Sequence, residues 1–398
     1  MNSNNYSHRQ KTARIRITGK TGAPVKESEV TVKQTKHEFL FGCAEFSLIP
    51  YVNGEFTGEK LAQAEKIANS ALNLFNFVTL PFYWGGFEKE KGKPDTARLL
   101  KTAKWLKDKG AMVKGHPLCW HTSTAPWLLD MTNEEILKAQ LNRINRDVSD
   151  FAGTIDMWDA INEVVIMPIF NKYDNGITRI CKEHGRIKLV KKVFEAAAKA
   201  NPNAMFLIND FDTSESYDIL LEGLIESGTD IKVIGIQSHM HQGYWGKEKT
   251  AEVLERFSRF NLPIHFTEIN MVSGDIMPKH IDDLNDFKVS EWPSTPEGEL
   301  RQAVELSEFY KQLFEHKLVE AITYWSFTDG GWLNAPAGFL TKEGREKPVY
   351  ASIYNLVKNE WFTNQKVVTD SEGFAQITGF KGEYKAEFDG GETEFTLK

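Results

Sequence analysis

The sequence predicts an α/β fold, a (β/α)8 TIM barrel, and three observations carry that prediction. Eight short apolar segments recur between residues 39 and 327, most of them apolar on successive residues as buried parallel strands are. A polar loop and then a stretch of helical periodicity follow each one. A doubly wound open sheet, the other architecture considered, would need fewer repeats and often carries a glycine-rich phosphate turn after its first strand. Here that turn reads Gly42-Cys43-Ala44-Glu45, which is not GxGxxG.

In order, the strand segments are 39–44, 75–80, 111–116, 154–162, 205–209, 233–238, 263–269 and 319–327. Helices are expected at 59–74, 94–109, 133–150, 185–200, 214–227, 247–260, 297–316 and 348–359. Thr132 stands three residues before Glu135, the spacing of a capping box. Ser214 precedes another acidic first turn, and Pro296 precedes an acidic-then-apolar run. Lys109-Gly110 and Ser227-Gly228 stop helices ahead of the next strand.

The ends lie outside the eight units, which divides the chain into an N-terminal β segment (1–36), the barrel (37–360) and a C-terminal β segment (361–398). Residues 12–35 read as two strands around a Lys20–Pro24 turn. Residues 361–398 read as a meander turning at 370–373, 379–382 and 390–391. A lone hairpin is marginally stable, so the termini are expected to pair into one small accessory β layer. That layer reads as a plain cap, with glycan binding as the alternative.

Composition removes several function classes. Lys plus Arg is 48 and Asp plus Glu is 55, a net charge of −7, so nucleic acid is not an expected partner. No apolar run is long enough for a membrane span, and none is expected. The three cysteines, 43, 119 and 181, form no disulfide framework and no compact metal motif. Residues 1–11 lack the apolar stretch of a secretory signal. A cytoplasmic chain is therefore expected, or a secreted or periplasmic one whose export signal has been removed. Aromatic residues make up 12%, and sugar-binding clefts are one reason for such richness.

Two glutamates end barrel strands. Glu163 closes the fourth strand after Trp158-Asp159-Ala160-Ile161-Asn162, and Glu268 closes the seventh in Phe266-Thr267-Glu268-Ile269-Asn270. The C-terminal rim is where barrel active sites lie, and two facing carboxyl groups are what glycosidic cleavage requires. Glu163, near aromatics and a second carboxylate, should have a raised pKa and act as acid, then base. Glu268, beside the Thr267 hydroxyl and the Asn270 amide, should stay ionised and act as nucleophile.

The other strand ends add imidazoles, amides and indoles. His116, Trp120 and His121 follow strand three, Asn209-Asp210 ends strand five, and Gln237-Ser238-His239-Met240-His241 ends strand six. Strand eight runs from Trp325 through Asp329 to Trp332. Amides and imidazoles match sugar hydroxyls, while the indoles of Trp84, Trp120, Trp325 and Trp332 are candidates to stack on pyranose faces. The histidines invite a zinc reading, but no HExxH pattern occurs, so no metal is expected. A thiol enzyme is weaker still, since Cys119 and Cys181 lack an evident base, and no GxSxG or GxxxxGK turn is present.

In order, FGCA (41–44), FNFVT (75–79), KGHPLCWH (114–121), WDAINE (158–163), IND (208–210), GIQSHM (235–240), FTEIN (266–270) and ITYWSFTDGGW (322–332) resemble glycoside hydrolase family 10, the retaining endo-β-1,4-xylanases. The resemblance spans about 39–358. It implies Glu163 as acid/base, Glu268 as nucleophile and Asn162 as the amide on the sugar 2-hydroxyl. It places His116 and Trp120 on the glycone side and His239, with Gln237, at the nucleophile. It makes Trp325 and Trp332 the sugar-contacting wall and lid, and Asn209, Asn270 and Asp329 supporting residues. No organic cofactor is implied, and the expected partner is a β-linked glycan derived from xylan.

The chain departs from the family pattern in three places, which marks a divergent member. A Glu-Asn pair and Lys-Trp usually follow the second strand, where this chain has Leu80-Pro81-Phe82-Tyr83-Trp84-Gly85-Gly86-Phe87-Glu88, and Trp84 is the residue left to cover that surface. Asn270 stands where an aspartate is usual. Lys114 replaces an arginine, and Pro117-Leu118-Cys119 a Thr-Leu-Val-like stretch. The expected function is a retaining endo-β-1,4-xylanase. The alternatives are a glycosidase of the same family acting on a different or decorated β-glycan, and a catalytically silent glycan-binding protein. Loops 45–58, 164–183 and 271–296 should shape the subsites. In the last, acidic residues 282, 283 and 286 and Trp292 are expected to border the aglycone side.

Overall fold

The computed structural model describes residues 6–281 and 284–398. Two strands precede the barrel, β1 (Gln10–Arg16) and β2 (Glu29–His37). The barrel strands are β3 (Leu40–Ala44), β4 (Phe77–Pro81), β5 (Met112–His116), β6 (Met157–Asn162), β7 (Met205–Asp210), β8 (Val233–Met240), β9 (Ile264–Met271) and β10 (Val319–Trp325). Four strands follow: β11 (Asn364–Val368), β12 (Phe374–Phe380), β13 (Gly382–Phe388) and β14 (Gly391–Leu397).

β3 to β10 pair in parallel, each with the next, and β10 closes on β3, giving the predicted eight-stranded barrel. Every residue of β6 and β9 is buried. The strands therefore read as continuous apolar runs, because helices cover one face and the packed barrel interior the other.

The helix signals act as read. Thr132 and Glu135 form both bonds of the capping box of Asn133–Asp150. Ser214 caps Glu215–Glu226, and Pro296 opens Pro296–Glu315 behind the cap of Thr295. Gly110 and Gly228 take the left-handed backbone (φ 85° and 75°) that ends their helices at little steric cost. The last helix is α only over Pro348–Tyr354 and widens to a π turn over Asn355–Glu360. Two of the long loops carry short helices, Leu48–Val52 and Gly176–His184, the second capped by Asn175 accepting from the Thr178 N–H.

The termini interleave as expected, though in two sheets rather than one. β1 pairs with β12, and β11-β2-β13-β14 form the other sheet. Between them lies a separate small core of Ile17, Val30, Val32, Ala375, Ile377, Tyr384, Ala386 and Leu397. One layer would have left these side chains in water, whereas two sheets bury them from both sides. Arg9 fastens this annex to the barrel. Its guanidinium donates to the carbonyls of Phe314, His316 (2.7 Å) and Val319 (2.8 Å) and lies over the rings of Phe39 and Phe314. Phe39 and Val319 stand at the starts of β3 and β10, so the annex covers the N-terminal floor of the barrel, at the far end from the carboxylates.

Candidate active site

Glu163 sits in the turn just past β6 with φ +56°, and its N–H donates to the Asn209 carbonyl at 2.8 Å. Glu268 lies within β9 and is 4% exposed. The strands between them, β7 and β8, supply the amides that join the two acids. Gln237 Nε2 donates to Glu163 Oε1 (3.3 Å) and to Asn162 Oδ1 (3.1 Å). Asn209 Nδ2 donates to the same Asn162 oxygen (2.8 Å) and to Glu268 Oε1 (2.9 Å). The Asn162 oxygen is thus taken twice, while its Nδ2 has no partner among the described residues and remains the free donor of that side chain.

The two carboxyls have unlike environments. Burial pushes Glu163 up to about 7, aided by the negative charge of Glu268, while the Trp120 indole (Nε1 to Oε2, 2.7 Å) and Gln237 pull the other way. Burial also acts on Glu268, but the imidazoles of His116 and His239 outweigh it and hold its carboxyl below the usual value. The direction of both shifts agrees with the sequence reading; the groups responsible for the second do not. Thr267 Oγ1 donates to Asn209 Oδ1 at 2.5 Å, and Asn270 Oδ1 accepts from His239 Nδ1, so neither touches Glu268. They orient the groups that do: Asn209, and His239, whose Nε2 lies 3.2 Å from Glu268 Oε2. Asn270 Nδ2 donates to the Trp325 carbonyl, which leaves its oxygen to face the imidazole.

His116, at the end of β5, points Nε2 at Glu268 Oε1 from 3.8 Å. Its Nδ1 donates to Asp159 Oδ2 at 2.7 Å, and Lys114 Nζ lies 2.7 Å from the same oxygen. Burial would push Asp159 up, but Lys114 and His116 together hold it low. The sequence reading missed Asp159. Its signal was a carboxylate inside an otherwise apolar strand, which needs a buried partner.

Three of the four tryptophans lie at the cleft. Trp120 donates to Glu163. Trp325 packs its edge against His116 (5.0 Å) and Phe46 (5.8 Å), and Trp332 stacks on His239 (5.0 Å, 8° between planes). Trp84 is different and corrects the expectation. Its ring is buried between Trp127 and the Arg143 guanidinium, and its N–H donates to Glu88 Oε2 at 3.0 Å, so its face is not available to a sugar. The following short helix, Trp84–Phe87, turns it inward. The preceding residue, Tyr83, takes the place at the site, against Trp120 (5.4 Å) and His116 (5.8 Å). Burial, with the nearby Glu268 and Glu163, raises its phenol pKa.

Asp329 stands back from the acids. Its Oδ1 accepts from the Gly338 N–H (2.8 Å) and Lys347 Nζ (2.6 Å), fastening the loop that carries Trp332. In the 271–296 loop, Asp282 and Asp283 lie outside the described residues. Trp292 donates to the Asp275 carbonyl, packs on Phe287, and lines a cavity of about 820 Å³ with Leu333, Asn334 and Lys342. Chemically, the site joins a carboxyl that holds its proton near neutrality to one that does not, with amide and indole groups around both.

The family model of glycosyl hydrolase family 10 matches residues 49–356. Endo-1,4-beta-xylanase B of Thermotoga neapolitana is 26% identical over 329 residues, covering 75% of this chain and 86% of that protein. Endo-1,4-beta-xylanase C of Paenibacillus barcinonensis is 25% identical over 298 residues, 65% of this chain; the chain spans only 26% of that relative's length. The crystal structure of xylanase 10B from Thermotoga petrophila RKU-1 in complex with xylobiose shares the fold, with a TM-score of 0.65 at 21% identity over 81% of this chain and 95% of that one. With its closed eight-stranded barrel and a family match covering most of its length, the chain belongs to glycosyl hydrolase family 10.

Proposed function

We propose that the protein is a retaining endo-β-1,4-xylanase, with Glu163 as acid/base and Glu268 as nucleophile. The observation that carries this reading is the split between the two carboxyls: Glu163 raised to about 7 and Glu268 lowered, within one hydrogen-bonded cluster. In the first step a Glu268 oxygen attacks the anomeric carbon while Glu163 gives its proton to the departing glycosidic oxygen. The Asn162 Nδ2 is the donor for the sugar 2-hydroxyl. Once the glycosyl ester forms, Glu268 carries no charge, and one of the causes raising Glu163 is gone. Glu163 then takes a proton from water as the water oxygen attacks the anomeric carbon, which restores both groups. His116 and His239 hold Glu268 in its ionised form before attack, and Trp325, Trp332 and Tyr83 form the aromatic wall. The named relatives support xylan as the substrate class.

Glu268→Ala tests the reading. Turnover of an activated aryl β-xyloside should fall at least about a thousandfold, and azide should restore it with an α-configured glycosyl azide as product. Wild-type-like activity in the variant would refute the nucleophile.

The segment after β4 favours a second reading, the same chemistry on another or a decorated β-glycan. The usual Glu-Asn and Lys are missing there, and Trp84 faces inward. Reducing-sugar release from xylan, arabinoxylan, β-glucan and glucomannan separates the two, and clear preference for plain xylan removes the second. Binding without cleavage of any of them would indicate a silent glycan-binding protein instead.

A further inference from the structure

Glu163 occupies the left-handed region, which disfavours a residue with a side chain, so the surrounding structure must hold it there. Two bonds do so. Its own N–H donates to the Asn209 carbonyl, and two residues on, the Val165 N–H donates to Asp210 Oδ2 at 3.0 Å. Asp210, the last residue of β7, has no measurable exposure. Its other oxygen accepts from the Asp212 N–H at 3.0 Å. No described cation pairs with it. A carboxyl sealed in protein with no counter-ion is costly to keep charged, yet only a carboxyl offers an acceptor oxygen to each of the two backbone donors, since an amide could accept just one of these bonds.

We propose that Asp210 is a positioning residue for the proton donor: it clamps the turn that aims Glu163 into the cleft, and it sets a second titrating carboxyl behind that acid. The proposal rests on the reading of Glu163 as the acid/base. Around Glu163 stand Glu268 from β9, His239 and Gln237 from β8, Trp120 from the loop after β5, Tyr83 from the loop after β4, Tyr173 from the loop after β6, and Asp210 from β7. Around Asp210 stand Glu163, Asp212 and the Tyr217 phenol, whose proton goes to the Ile208 and Gly235 carbonyls rather than to the acid. Of the acids near Glu163, Glu268 is esterified in the glycosyl intermediate, whereas Asp210 remains a free carboxyl able to titrate through both steps. Burial and Glu163 push Asp210 up to about 7, so the two carboxyls titrate as a linked pair.

The test uses Asp210→Asn and Asp210→Ala in the full chain, with two aryl β-xylosides. One has a poor leaving group that needs the acid, the other an activated one that does not. Asp210→Asn keeps an acceptor for Val165, gives up the one for the Asp212 N–H and removes the titrating group. Its basic limb of kcat/KM on the poor substrate should move down by about half a unit to one unit. Asp210→Ala should lose kcat on the poor substrate by about tenfold or more, with less than about a threefold change on the activated one. Should Asp210→Ala fail to fold, the Asp210→Asn profile decides. An unmoved limb in Asp210→Asn, or equal losses on both substrates, would overturn the proposal. Glu163→Ala is the control. If that variant shows no selective loss on the poor substrate, the acid assignment falls and the proposal with it; an intact control beside an unmoved limb refutes Asp210 alone.

Discussion

Trp120 and Glu163 form a direct bond, the indole Nε1–H donating to Oε2 at 2.7 Å. Burial pushes the Glu163 carboxyl up, and this donor is the largest of the causes pulling it down. Trp120 therefore moderates this carboxyl. In Trp120→Phe the ring remains and the donor goes. A hydrogen bond to a charged group is worth about 1.5–3 kcal/mol, so the Glu163 pKa should rise by about one to two units. The basic limb of kcat/KM should move up by a similar amount, which a pH–rate series on a poor-leaving-group xyloside measures.

The wild-type profile itself should be bell-shaped. The proposed mechanism requires Glu163 protonated and Glu268 ionised. Activity should fall as pH rises through about 7, where Glu163 loses its proton. On the acid side it should hold until pH drops below the ordinary glutamate range, because Glu268 is lowered. A free-enzyme profile of kcat/KM checks both limbs, and a basic limb far above neutrality would contradict the environment described for Glu163.

Thr267 acts through Asn209. Its hydroxyl donates to Asn209 Oδ1, which turns the amide Nδ2 toward Asn162 and Glu268. Thr267→Val is nearly the same shape and lacks the donor. The amide is then no longer fixed, and kcat/KM should drop by about tenfold, the worth of one modest hydrogen bond. Thermal unfolding should shift little beside that loss, so the two measurements together separate orientation from stability.

Arg9 tests whether the terminal sheets serve as a cap. Arg9→Ala strips a donor group from three carbonyls and a cation from two rings. Stability should fall by about 2–4 kcal/mol in denaturant unfolding, while kcat/KM at 25 °C stays within about twofold, since the annex meets the barrel at its floor. Unchanged stability with lost polysaccharide binding would instead assign the annex to glycan capture.

The barrel was legible because its strands are buried on both faces, which writes each one as an apolar run, and because Thr132, Pro296, Gly110 and Gly228 mark helix ends through bonds local to the chain. The carboxylates could be found for a related reason: Glu163 just follows an apolar strand and Glu268 stands in the C-terminal half of another. Trp84 misled because a tryptophan near a strand end looks the same whether it faces a sugar or an arginine. The partners of the terminal strands were equally hidden, since alternation shows which face is apolar and not which strand lies beside it.

By itself, the order of residues determined the repeating strand–helix rhythm, the rim position of the two acids and the direction of their inequality. Those properties depend on burial periodicity and on near neighbours in the chain. The tertiary structure alone decided which groups create the inequality. His116 and His239 reach Glu268 from other strands, Asp159 and Asn270 orient those imidazoles, and Tyr83 rather than Trp84 stands at the cleft. Hydrogen bonds and charges act over a few ångströms of space, and closing the barrel brings together residues that lie far apart along the chain.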